Sequence, residues 1–109
     1  MYLQELEEKL NVTAVSNGEE NPAVTGCYIG DLMSLAMARL EEGNLWITIQ
    51  TNLNVIAVAA LKEAAGVILA DGAVPDANAL AKAKEEGIFL YTSVQSAYEL
   101  AKALGELGL

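Results

Sequence analysis

Asp31, Thr51, Asn52, Asp71, Gly72, Thr92 and Ser93 are the residues of this chain best placed by type and position to hold a ligand. Each follows a short apolar run and precedes a segment with helical spacing. A carboxylate, amide or hydroxyl in that position can bond a sugar hydroxyl, and the first-turn amides of a helix favour an anion. The same residue types are also what helix N-caps require. A ligand role therefore rests on their clustering, not on any one of them.

Catalytic chemistry has little to work with. Histidine is absent, which removes the commonest general base and transition-metal ligand. Ser34, Ser93 and Cys27 have no histidine partner and no lysine near them in sequence, so a nucleophilic mechanism is not indicated. Cys27 is the only cysteine, which excludes an internal disulfide and a cysteine-based zinc site. Its surroundings, Val24-Thr25-Gly26-Cys27-Tyr28-Ile29, read as a buried strand with an inert core thiol. Asp31, Asp71 and Asp76 are oxygen donors of the kind Mg²⁺ takes, but nothing in their spacing requires a metal. Neither G-x-x-x-x-G-K-[ST] nor G-x-G-x-x-G occurs. Gly26 and Gly30 form a G-x-x-x-G, which carries little meaning outside a membrane helix. Met33 and Met37 read as core filler. No catalytic residue, metal or cofactor is assigned.

The chain has 109 residues, the size of one domain. Its formal net charge is −9, from 15 acidic and 6 basic residues. Without a basic patch it has no means of neutralising phosphates, so neither nucleic acid nor an anionic membrane is an expected partner. No run reaches the roughly 20 apolar residues of a membrane span. The start, Met1-Tyr2-Leu3-Gln4-Glu5, lacks signal-peptide character, and the expected location is the cytoplasm. Yet 53% of residues are hydrophobic. A small domain has too much surface to hide them all, so part of the surplus is expected to meet another subunit.

The elements that must position the candidates can be read in order. Leu3, Leu6 and Leu10 with acids between them give a short amphipathic helix, and 11–15 alternates as a half-buried strand. The stretch 16–22 is a polar loop, and 23–29 is a second strand. A helix is predicted from about Leu32 to Glu42 with Gly43 behind it, then the strand Leu45–Ile49. Asn52 or Asn54 caps a helix from about Val55 to Ala65 that is apolar nearly all round, as in a helix buried on two faces or placed in a subunit interface. Gly66–Ala70 is a continuous apolar strand, and Pro75 fits the first turn of a helix over 76–86. Ile88–Tyr91 is the last strand. Thr92 and Gln95 have capping-box spacing for a final helix from about Ser93 to Leu104. Alternating short strands and helices imply a three-layer α/β/α arrangement on a mainly parallel sheet of four or five strands. The carboxyl ends of such strands share one edge, where ligands bind in open α/β folds.

Residues 44–104 resemble the second half of a DRTGG domain. The likeness runs through Leu45–Ile49, Ile56-Ala57-Val58-Ala59-Ala60-Leu61, Gly66-Val67-Ile68-Leu69, Gly72, Pro75, Ala83-Lys84-Glu85-Glu86-Gly87-Ile88 and Thr92. Residues 11–43 fit the family's layout more loosely. The naming motifs are degraded: Asn52-Leu53 stands where many members have Asp-Arg, and Ala70-Asp71-Gly72 stands for Thr-Gly-Gly. The resemblance implies a fold like the N-terminal domain of HPr kinase. It also implies the company the family keeps, with CBS domains in regulatory pyrophosphatases and in phosphotransacetylase-like proteins. There it is an accessory, dimerising part. The implied role is a non-catalytic regulatory or protein-interaction module acting as a homodimer. The alternative is a sensor of a nucleotide or phosphometabolite at the carboxyl edge, and a small anionic ligand or a protein is the implied partner. Loss of the Asp and Arg removes the charged groups best suited to a phosphate.

Overall fold

Gly66–Leu69 carries no polar side chain and is buried throughout, as a strand covered on both faces must be. It lies at the centre of the sheet. The computed structural model describes residues Met1–Leu109. Its elements are α1 (Leu3–Leu10), β1 (Thr13–Ser16), β2 (Gly26–Ile29), α2 (Met33–Arg39), β3 (Asn44–Thr48), α3 (Leu53–Leu61), β4 (Gly66–Leu69), α4 (Ala77–Glu86), β5 (Leu90–Thr92) and α5 (Ala97–Glu106). The sheet has five strands in the order β1-β5-β4-β3-β2. Strands β2 to β5 are parallel, and β1 joins β5 antiparallel with Thr13 opposite Thr92. The chain is thus a three-layer α/β protein with a mainly parallel sheet, as the alternation of elements predicts.

Successive residues of each strand divide between two cores. Leu45, Ile47, Ile68 and Tyr91 face α1 and α5, packing with Leu3, Leu6, Leu10, Leu100 and Leu104. Trp46, Val67, Leu69 and Leu90 face α2, α3 and α4, packing with Ala36, Leu40, Val55, Ile56, Ala59, Ala79 and Ala83. Burial of Tyr91 is completed by a hydrogen bond from its hydroxyl to Glu7 Oε2 at 3.1 Å. No helix is long and apolar enough to cross a membrane.

Several local expectations are corrected. Helix α3 starts at Leu53, earlier than the predicted Val55, with Asn52 as N-cap accepting from the Asn54 amide. Its residues Val55, Ile56, Val58 and Ala59 are buried inside the domain, between the sheet and the flanking α2 and α4, while α5 lies on the opposite face. Pro75 precedes the cap Asp76 and so stands outside α4. Thr92 does not cap the last helix. It ends β5, and α5 begins at Ala97 behind Ser96, whose hydroxyl accepts from the Glu99 amide while Glu99 Oε1 accepts from the Ser96 amide. Cys27 is not a core thiol. It lies on the edge strand β2 and is exposed as a residue, yet the protein around it desolvates the sulfur and pushes its pKa up to about 11. At neutral pH it stays a poorly nucleophilic thiol.

One buried group has no partner. Strand β1 bulges between Ala14 and Ser16, so Ala14 pairs with Tyr91 and Ser16 with Leu90. The bulge leaves the Ser16 hydroxyl buried without a hydrogen bond. Such a group costs about 1–3 kcal/mol in desolvation. Ser16→Ala is therefore expected to leave stability unchanged or raise it by up to about 1 kcal/mol in urea unfolding. A loss of about 1 kcal/mol or more would contradict an unpartnered hydroxyl.

Candidate functional site

The β4–α4 and β5–α5 connections begin side by side and part. The first leads to the face covered by α2, α3 and α4, the second to the face covered by α1 and α5. A crevice opens at the carboxyl ends of two neighbouring parallel strands whose connections diverge in this way. Here it is a cavity of about 260 Å³ lined by Gly72, Ala73 and Val74 from one connection and Thr92, Ser93 and Val94 from the other. Because β1 is antiparallel, its start lies at the same edge, and Asn11 and Thr13 close a third side.

Backbone hydrogen bonds stitch the two connections beneath the opening. The Gly72 amide donates to Ser93 O at 2.8 Å, and the Asp71 amide donates to Gln95 O at 2.8 Å. This crossing demands left-handed backbone at Asp71 (φ 57) and Gly72 (φ 73), a conformation glycine adopts without penalty. Gln95 ties in the third wall: its side-chain amide donates to Leu10 O at 2.7 Å and to Ser93 Oγ at 3.2 Å. Asn11, also left-handed at φ 55, ends α1 and turns the chain into β1. The side chains on offer are the Thr13 and Thr92 hydroxyls, opposed across the β1–β5 pair and so on one face of it, and the Asn11 amide. Val74 and Val94 stand at the mouth, 72% and 85% exposed. None of the lining residues is charged.

The structure brings together only part of the predicted set. Gly72, Thr92 and Ser93 line the cavity, and Asp71 adjoins it with an exposed carboxylate. Thr51 is engaged elsewhere: its hydroxyl donates to Asp76 Oδ1 at 3.2 Å, and the Asp76 amide returns to Thr51 O at 3.0 Å, tying the start of α3 to that of α4. Asn52 is the α3 cap. Asp31 follows β2 and accepts from Thr48 Oγ1 at 2.8 Å and from the Ile49 amide at 2.9 Å, so it is a structural clasp. No cluster of three or more carboxylate or cysteine side chains is arranged to hold a metal ion, which leaves the Asp31, Asp71 and Asp76 grouping without support. Asn11 and Thr13 were beyond local pattern, since only the pairing of β1 with β5 brings them to this edge.

Sheet order and layering define a three-layer α/β fold on a mainly parallel sheet. The chain is similar to the crystal structure of the CBS and DRTGG domains of the regulatory region of Clostridium perfringens pyrophosphatase, complexed with its activator diadenosine tetraphosphate. The TM-score is 0.76 at 15% sequence identity, over 94% of this chain and 45% of that one. The fold is therefore DRTGG-like, and the chain spans less than half the length of that relative. No family model and no curated protein matches the chain.

Proposed function

We propose that the chain is a single DRTGG-like domain that works without catalysis as a regulatory homodimer in the cytoplasm, and that its cleft between β4 and β5 reads a small ligand. The observation that carries the sensing role is the cleft, formed where two connections diverge and furnished with hydroxyls that nothing else in the chain requires. Its chemistry favours the nucleoside part of a ligand over the phosphate. Thr13, Thr92 and Asn11 suit ribose hydroxyls, and Val74 and Val94 suit the faces of a flat base. Phosphates would project outward, past the exposed Asp71, on a chain of net charge −9. A related fold found with a dinucleotide activator supports a nucleoside-bearing ligand.

A thermal-shift titration with adenosine, ATP and diadenosine tetraphosphate tests this. Binding at a hundred times Kd stabilises the folded state by about 2.7 kcal/mol. We expect at least one of the three to raise Tm with the logarithm of its concentration above Kd. Thr92→Val is expected to remove that rise while leaving the ligand-free Tm within a few degrees. A rise undiminished in Thr92→Val would place the ligand elsewhere, and no rise with any of them would remove the sensing role.

A further inference from the structure

The two sheet edges differ. Strand β1 is interrupted by its bulge, one of the devices that keep an edge from pairing with another chain. Strand β2 has none of them: the stretch Ala23 to Gly30 contains no charged residue, no proline and no bulge, and β2 keeps unbroken register with β3. Along Gly26–Ile29 its outer side bears no strand, while Met1 and Tyr2 pair with Val24 and Ala23 just before it. Apolar side chains also crowd that edge on both faces of the sheet. Cys27 and Ile29 share the face of Leu45 and Ile47, where α1 and α5 do not reach them. On the other face, α2 buries only Ala36 within its span and leaves Leu32 and Leu35, which lie on one flank of the helix, exposed.

We infer that this edge is where two copies of the chain meet, β2 against β2 antiparallel and α2 against α2, about a twofold axis normal to the sheet. This rests on the homodimer reading above and locates it. Any strand edge is complementary to its own copy in antiparallel register, which an isologous interface requires. Charge points to the same occupant. Asp31 precedes α2, and Arg39, the chain's only arginine, closes it. Antiparallel helices across the axis set each Arg39 beside the other copy's Asp31, and put Leu35 near the axis, facing its mate. Helix α3, whose apolar composition fits either burial on two faces or a subunit interface, is buried within the domain.

Light scattering at micromolar concentration, with two single variants, tests the placement. Wild type is expected at twice the chain mass. Leu35→Glu, at a side chain already 40% exposed, sets one carboxylate against its mate's across the axis and is expected to weaken the pair about thirtyfold or more, as loss of a central anchor does. Circular dichroism should stay that of the folded chain, and Leu32→Glu supplies the same test if Leu35→Glu does not fold. Leu61→Glu, on the outer side of α3 at 67% exposure, is expected to leave the dimer intact. A wild-type monomer overturns the dimer and its location together. A wild-type dimer split by both Leu35→Glu and Leu61→Glu, or by neither, overturns the location alone. Amide exchange of Gly26–Ile29 should slow as concentration rises through the dimer Kd, and unchanged exchange overturns the strand pairing.

Discussion

Replacing Trp46 by alanine is expected to lower the free energy of unfolding by about 3–5 kcal/mol. The indole is fully buried in β3, packed among residues of α2, α3 and α4, and its Nε1–H donates to Gly30 O at 2.9 Å. Truncation leaves a cavity at the middle of one core and strips a half-buried carbonyl of its donor, two costs that act together. Native domains hold only about 5–15 kcal/mol in total, so the loss removes a large share of the stability. Trp46→Phe keeps most of the ring and is expected to lose less. Urea unfolding followed by circular dichroism measures both. A loss under about 1 kcal/mol in Trp46→Ala would contradict the packing described.

The second large effect is expected at Asp31. Its carboxylate holds the Thr48 hydroxyl and the Ile49 amide, and Thr48 is buried. Asp31→Ala leaves that hydroxyl without its acceptor, at a cost of about 1–3 kcal/mol, whereas Asp31→Asn keeps an oxygen in place and is expected to cost less. The midpoint in urea should fall with an unchanged slope. A ligand-binding aspartate would behave in the opposite way: its removal would spare stability and abolish a ligand-induced shift. An Asp31→Ala variant as stable as wild type would restore Asp31 to the candidate site.

Which parts of this arrangement are visible in the sequence follows from how local their causes are. Strands β3 and β4 are plain because burial on both faces demands an unbroken apolar run, which Leu45–Ile47 and Gly66–Leu69 supply. The start of the last helix is ambiguous because two capping boxes stand four residues apart, Thr92 with Gln95 and Ser96 with Glu99. Only the second forms, since Gln95 is drawn away to Leu10 and Ser93. That choice is tertiary. So is the fate of Cys27: its neighbours look like a core strand, but whether a strand is central or at an edge depends on sheet order. The candidate site divides the same way. Gly72, Thr92 and Ser93 belong to joints that any parallel sheet would align, whereas Asn11 and Thr13 reach the cleft through an antiparallel pairing across most of the chain.

That long-range closure has a consequence for how the protein is made. Helix α1 and strand β1 are made long before the elements they pack against. Tyr91 reaches back 84 residues to Glu7, Gln95 reaches back 85 to Leu10, and Leu3, Leu6 and Leu10 pack on Leu100 and Leu104. At roughly 5–20 residues per second, the first leucines wait on the order of 4–20 seconds before α5 exists. Strands β2 to β4 can assemble with their crossover helices in the order of synthesis; the amino-terminal segment cannot. Folding is thus a two-act process, in which α1 docks only when α5 is complete, and contacts so distant in sequence are slow to form.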